Sequence, residues 1–339
     1  MSILDVFNGD GFSVVSLTDA INSLKFVPGY VGSRGLFGES SVSTTTVAIE
    51  QKGDTLKLIP PTPRGAPGTT IEKTARSMLS INVPHFQIDD AVMAEEVQNV
   101  RPFGQESGQD SVMRLIGERM QIHGQSHEAT LEYSRIGAIK GLVTYADGSI
   151  LDLFKIFGVT KEAVIDFNLD ATSTTGAFRK ACAAVTRQMA GILDGTPFVG
   201  IEAICGDNFF DNLIANAEVR DTWRSSLQAA ELRTNYVNAG LTFGSFIFGG
   251  IMWTNYRGSV DGVGYVHTDH AHLYPVGVPG LFKTYVAPAD YMETVNTLGL
   301  LRYAKQFRMP NDKGVSMEVQ TNPLNICTRP RVLIDSTWT

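Results

Sequence analysis

The chain has 339 residues, 43% of them apolar and 19% charged, which is ordinary for a folded soluble protein and long enough for two cores. Lys and Arg number 28 against 35 Asp and Glu, a formal charge of −7 without a basic run, which argues against a protein that grips nucleic acid through its phosphates. Cys182, Cys205 and Cys327 lie far apart without C-x-x-C spacing, which fits buried thiols rather than a disulfide framework, and no stretch approaches the roughly 18–20 apolar residues of a membrane helix.

The first residues lack a basic segment followed by a sustained apolar core, so the reading is a soluble protein made in the cytoplasm. Ser16 to Leu24 carries a short helical pattern closed by the Pro28-Gly29 turn pair. From Ser41 the period changes to two. Val47 and Ile49 alternate with polar partners, Lys52-Gly53-Asp54 supplies a turn, and Leu56 to Ile59 returns as a second strand. Residues 60–70 are too rich in Pro and Gly for regular structure; alternation resumes with Leu79, Ile81 and Val83 and stops at Pro84. Residues 41–86 therefore read as a long two-stranded projection with an irregular tip. An isolated hairpin is only marginally stable in water, so a chain that carries one lays it on another surface, here a neighbouring subunit.

Residues 89–140 read as mainly helical, with Val112, Ile116 and Met120 on one stripe and Tyr133, Ile136 and Ile139 continuing it. Gly117, Gly124 and Gly137 permit a bend or close packing. The acidic pairs Asp89-Asp90 and Glu95-Glu96 sit where carboxylates favour a helix start. Leu142 to Tyr145 and Ile150 to Phe154 form a hairpin around Asp147-Gly148. A helix is expected over Ala177 to Leu193, a strand over Val199 to Ile204, and a helix capped by Asp207 running through Leu213. Phe246 to Trp253 and Phe282 to Val286 read as apolar strands, and Pro288-Ala289-Asp290 opens a short helix through Val295. This alternation between about 165 and 305 suggests an α/β subdomain, and Val315 to Val319 and Arg331 to Ile334 return to strand.

Concentrated chemistry is sparse. His267, Asp269, His270 and His272 offer imidazoles and a carboxylate that could ligate zinc for a metal-dependent enzyme, but they fall in a loop beside Gly262 and Gly264, where hydrogen-bonded histidines are the default. No nucleophile elbow, phosphate-binding P-loop or dinucleotide fingerprint occurs, and Gly258 to Gly264 reads as an ordinary loop. Cys182, in Ala181-Cys182-Ala183-Ala184, has the setting of an inert buried thiol. A projecting hairpin without concentrated chemistry points to structure rather than catalysis, and no catalytic residue, metal or cofactor is expected.

Six segments, in order, carry a resemblance. They are Leu36-Phe37 with Ser43-Thr44-Thr45-Thr46-Val47; Arg64-Gly65-Ala66-Pro67; Val83-Pro84-His85-Phe86; and Glu95 to Arg101. Ala287-Pro288-Ala289-Asp290-Tyr291 with Glu293 to Thr297, and then Thr321 to Pro330, complete them. Together they resemble the lambda-type phage major capsid protein E family over nearly the whole chain. The resemblance implies an α+β fold of the Hong Kong 97 type. Residues 1–40 would be the N-terminal arm, 41–86 the extended β-hairpin loop, and 87–164 the peripheral domain with its spine helix. Residues 165–305 would be the axial domain, and 306–339 strands returning to the peripheral domain.

It further implies self-assembly as hexamers and pentamers into an icosahedral head that encloses double-stranded DNA without sequence-specific binding, an acidic lining repelling rather than trapping the genome. Ile59, Arg64, Gly65, Leu79, Ile81 and Arg101 become candidate intersubunit contacts, the two arginines as ion-pair members. Only about 40 residues precede the hairpin, so scaffolding is expected from a separate protein, alongside a portal and a possible decoration protein, with no covalent subunit crosslink. An encapsulin-like nanocompartment shell of the same fold is the alternative within this class.

Overall fold

The computed structural model describes residues 13–23, 29–52, 76–99, 108–171, 176–225, 244–260 and 262–339. In chain order, helices α1 (Val14–Ser23) and α2 (Tyr30–Ser33) precede strands β1 (Gly38–Ser41), β2 (Thr46–Lys52), β3 (Arg76–Asn82) and β4 (Phe86–Met93). Helices α3 (Ala94–Asn99) and α4 (Gly108–Lys140) follow, then β5 (Leu142–Thr144), β6 (Ile150–Asp152), α5 (Leu153–Ile156) and β7 (Ile165–Asp166). Next come α6 (Ala177–Leu193), β8 (Gly200–Cys205), α7 (Asp207–Ala215) and α8 (Ala217–Ser225). Apart from three 3-10 turns, the remaining described elements are strands: β9 (Ser245–Phe248), β10 (Ile251–Asn255), β11 (Ser259–Val260), β12 (Val263–Gly264), β13 (His270–Val276) and β14 (Phe282–Val286), then β15 (Tyr303–Arg308), β16 (Gly314–Thr321), β17 (Pro323–Cys327) and β18 (Ile334–Thr337).

The chain separates into two compact units. Unit one gathers Met1–Val47, Ser80–Arg135 and Lys283–Asn325; unit two gathers Ala48–Leu79, Ile136–Phe282 and Ile326–Thr339. In unit one an antiparallel sheet, β15-β16-β4, buries one face. Val92, Met317, Val319 and Ala304 of that face pack with Leu17 and Ile21 of α1 and Ile116 and Met120 of α4, which accounts for the apolar stripes of both helices. A second sheet, β1-β14-β17, pairs β1 parallel to β14. Unit two is organised on a six-stranded mixed sheet in the order β7-β18-β13-β8-β10-β9. Trp253 of β10 sits fully buried among Phe167, Phe178 and Phe209, and its indole N–H donates to the Phe248 carbonyl at 3.1 Å.

Several expectations change. Phe86–Met93 is a strand, not a helix start, so only Glu95 and Glu96 lie in a first helical turn. Phe246 to Trp253 is two strands folded at Gly249-Gly250, both with φ above +60°, the conformation a two-residue hairpin turn demands. Gly206, not Asp207, occupies the cap position of α7, and Asp207 instead accepts from Arg257 at 2.7 Å. The helix expected from Pro288 shrinks to one 3-10 turn, Met292–Thr294. Gly258 to Gly264 includes a tight pair, β11 and β12, with Gly262 at φ +76°. The C-terminal strands separate: β16 stands in the unit-one sheet, while β18 pairs with β13 and β7 in unit two.

Candidate functional site

Of the six candidate contact residues, Ile59, Arg64, Gly65 and Arg101 lie outside the described residues. Leu79 and Ile81 fall on β3, two apart and so on one face, where Ile81 is 4% exposed and Leu79 half-buried. Ile81 is thus covered within the chain. Met78, the residue before Leu79, is 76% exposed, an apolar side chain that alternation assigns to the opposite face. It is the one large apolar residue on the described part of the hairpin that solvent reaches freely, and its place just before Leu79 was the signal for it.

The histidine segment resolves into a strand. His270 and His272 lie on one face of β13 with stacked rings 6.2 Å apart, and register sets Asp335 of β18 opposite His272. Asp335 Oδ1 takes the Nδ1 of His270 at 2.9 Å and of His272 at 3.3 Å, and its Oδ2 accepts from Lys161 at 3.2 Å. Burial raises the Asp335 pKa, but the imidazoles and Lys161 outweigh it and hold the carboxyl below its ordinary range. Burial drives His272 down to about 3, so its ring stands neutral at neutral pH. Both imidazoles thus spend Nδ1 on one carboxylate. His267 is exposed, outside the strand, and among the described residues no group of three or more His, Cys, Asp or Glu is placed to hold a metal. Asp335 escaped the sequence reading because the pairing that brings it here spans more than sixty residues.

In unit one, polar groups converge where no cluster was expected. Asn322 Oδ1 pairs with His85 Nδ1 at 2.8 Å, its Nδ2 donates to the Pro288 carbonyl at 2.8 Å, and its own carbonyl accepts from Ala287 N–H at 3.0 Å. Gln320 Nε2 donates to Asp290 Oδ1 at 2.7 Å and to Gln87 Oε1 at 3.1 Å. Thr284 Oγ1 donates to Asn325 Oδ1 at 2.6 Å, and Asn325 Nδ2 donates to Ser134 Oγ at 3.0 Å. Gln320, Asn322 and Asn325 are buried, so each bond satisfies a group that would be costly to leave unpaired. His85, Pro288, Asp290 and Asn322, from segments far apart in sequence, are thus held together by hydrogen bonds, with Gln87 and Gln320 beside them.

A second buried polar contact fixes the start of the chain. Glu132 of α4 accepts from the N–H of Val31 at 2.7 Å and of Gly32 at 3.0 Å, capping α2. A Cβ on Gly29 would stand 2.2 Å from the Glu132 carboxyl carbon, which is why glycine follows Pro28 here. The arrangement positions backbone. Cys182, Cys205 and Cys327 are free and buried, with burial pushing Cys182 and Cys327 up to about 12 and Cys205 higher still.

The family model described as "Phage major capsid protein E" matches residues 13–338. The chain belongs to the phage major capsid protein E family. The major capsid protein of Pseudomonas phage KPP10 is 26% identical over 341 residues, covering 96% of each chain. A crystal structure of a prophage protein of Escherichia coli CFT073, assigned as a capsid protein, superposes with a TM-score of 0.60 at 15% identity, covering 96% of this chain and 99% of that one. The capsid of Myoviridae phage XM1 gives a TM-score of 0.52 at 11% identity, covering 93% and 94%. The fold is therefore the α+β, Hong Kong 97-type fold of phage capsids, and the family is one of major capsid proteins of tailed phages.

Proposed function

We propose that the chain is the repeating subunit of an icosahedral phage head, closing as hexamers and pentamers around double-stranded DNA that it does not read by sequence. The observation that carries this is the family match from residue 13 to residue 338, spanning both compact units. In this reading unit one is the peripheral part, with α4 as its spine, and unit two the axial part around its six-stranded sheet. Residues 41–86 serve as the extended loop laid over a neighbour, with Leu79, Ile81, Ile59, Arg64, Gly65 and Arg101 among its contacts or close to them. The role is structural rather than catalytic. A net charge of −7 suits a wall that must contain DNA without binding it. Assembly takes place in the host cytoplasm with a separate scaffolding protein and a portal.

Negative-stain microscopy of the purified full chain tests this. Shells or ring-shaped capsomers are expected; a preparation that stays monomeric at high concentration rejects the reading. Shells isolated from the native host should hold DNA, and an enzyme cargo in place of DNA would identify a nanocompartment instead.

A further inference from the structure

The stretch from Met292 to Leu300, between β14 and β15, is fixed in shape yet leaves four large apolar side chains exposed. Thr294 Oγ1 donates to the Ala289 carbonyl at 2.7 Å, and Thr297 Oγ1 donates to the Thr294 carbonyl at 2.7 Å. Gly299 N–H donates to the Val42 carbonyl at 2.9 Å, and Leu300 N–H donates to the Tyr303 hydroxyl at 2.8 Å. A Cβ on Gly299 would stand 2.1 Å from the Val286 carbonyl oxygen, so the backbone is packed down on β14. On this held backbone Met292, Val295, Leu298 and Leu300 are 88%, 58%, 66% and 47% exposed. Exposed apolar surface gathered within nine residues, on the order of a few hundred Å², often marks an interaction site.

Charge and size select the occupant. Glu293 is the sole charged residue between 292 and 300, and Lys305 donates to both its carboxyl oxygens at 2.9 Å. The stretch therefore shows no unpaired charge in a chain that carries −7. A basic partner would be drawn to unpaired carboxylates; two copies of an acidic chain need a surface without them. The area also falls short of the roughly 800 Å² per partner of a stable pairwise complex. A contact that small is useful where many form together, as among copies closing a shell.

We propose that Met292–Leu300 is an intersubunit contact that seats on a neighbouring copy of this chain; the proposal rests on the shell-subunit reading above. The test is sedimentation velocity and negative-stain microscopy of the full chain, as wild type, as Val295→Asp/Leu298→Asp, and as the conservative Leu298→Met. The double variant should need at least tenfold more protein to form capsomers or shells, with an unchanged circular dichroism spectrum, while Leu298→Met behaves as wild type. Assembly of the double variant at the wild-type concentration overturns the proposal and leaves the shell reading standing. A wild-type chain that never associates overturns both. If the double variant misfolds, Met292→Cys decides the matter: the native thiols are buried, so a thiol-attached photocrosslinker placed at residue 292 should link subunits in assembled material. Assembled shells that give no linked subunits overturn the proposal.

Discussion

The histidine in the middle of α4 makes the sharpest energetic prediction. His127 is buried, and its Nε2 donates to the Val319 carbonyl at 3.2 Å, joining α4 to β16. Burial drives its pKa from 6.5 to about 4; the Val319 bond opposes this, and Arg302 and His123 add to it. Folded His127 is therefore neutral across a range in which the unfolded chain takes up a proton. Stability rises with pH wherever the unfolded state binds more protons, at about 1.4 kcal/mol per pH unit for one group. The contribution is complete above pH 6.5 and is lost as pH falls toward 4, about 3 kcal/mol over the interval. His127→Gln keeps an N–H donor for Val319 but has no site for the proton. Urea unfolding at pH 4.5 to 7 should give a stability curve for the variant that is flatter by about 1.4 kcal/mol per unit than that of wild type. The ring of His127, followed by NMR, should stay neutral until close to pH 4. Parallel curves, or a ring that titrates near 6.5 in the folded protein, would refute the reasoning.

Three further outcomes follow from single contacts. Glu132→Ala strands the N–H groups of Val31 and Gly32 and should cost about 3–5 kcal/mol, with Glu132→Gln losing about half, measured by chemical denaturation; a midpoint like wild type rejects the capping role. Arg302→Met leaves the largely covered Glu128 without its ion-pair partner and should cost about 3 kcal/mol, whereas Arg302→Met/Glu128→Met should recover much of that; equal losses in both would show the pairing to be incidental. Asp335 has a lowered pKa, so its contribution is present above the unfolded value of 3.8 and fades as pH falls through the folded one. Asp335→Asn should therefore be less stable than wild type at pH 7 and lose that difference in strong acid, as thermal melts at pH 7 and pH 2 would show; an undiminished difference at pH 2 counts against an ionised Asp335.

Local signals were readable and long-range pairing was not. Ala177–Leu193 emerged at its observed bounds because Phe178, Cys182, Val185, Met189 and Leu193 recur at helical spacing and all are buried. Asp89-Asp90 has the look of first-turn acid, yet it stands on strand β4. On a strand the two carboxylates point to opposite faces: Asp89 accepts from Gln87 at 2.6 Å, while Asp90 turns toward α4 and takes Arg119 at 2.7 Å and His123 at 2.8 Å. Gly249-Gly250 has apolar flanks on both sides and so reads as part of one apolar run; the turn needs positive φ, and Gly249 also lies where a Cβ would meet Cys182 at 2.6 Å. Asn322, Glu132 and Asp335 carry no local motif. Each acts on residues more than sixty positions away, so its role exists only once the chain is folded.

That difference bears on how such a subunit works. The node at Asn322 grips Ala287 and Pro288, and Asp290 is held by Gln320, so the root of the 292–300 stretch is fixed before any neighbour arrives. Binding through a preorganised surface avoids much of the ordering entropy that a loose loop would lose on contact. A small apolar patch can then serve as a reversible contact, weak enough for misplaced subunits to leave and effective when many copies act together. The buried polar residues and the exposed apolar ones have complementary roles: the first set spends its hydrogen bonds inside the chain so that the second can be presented outside it. Catalytic chemistry concentrates a few groups at one point, but shell-building distributes modest contacts over a surface, and its residues leave no compact motif in the sequence.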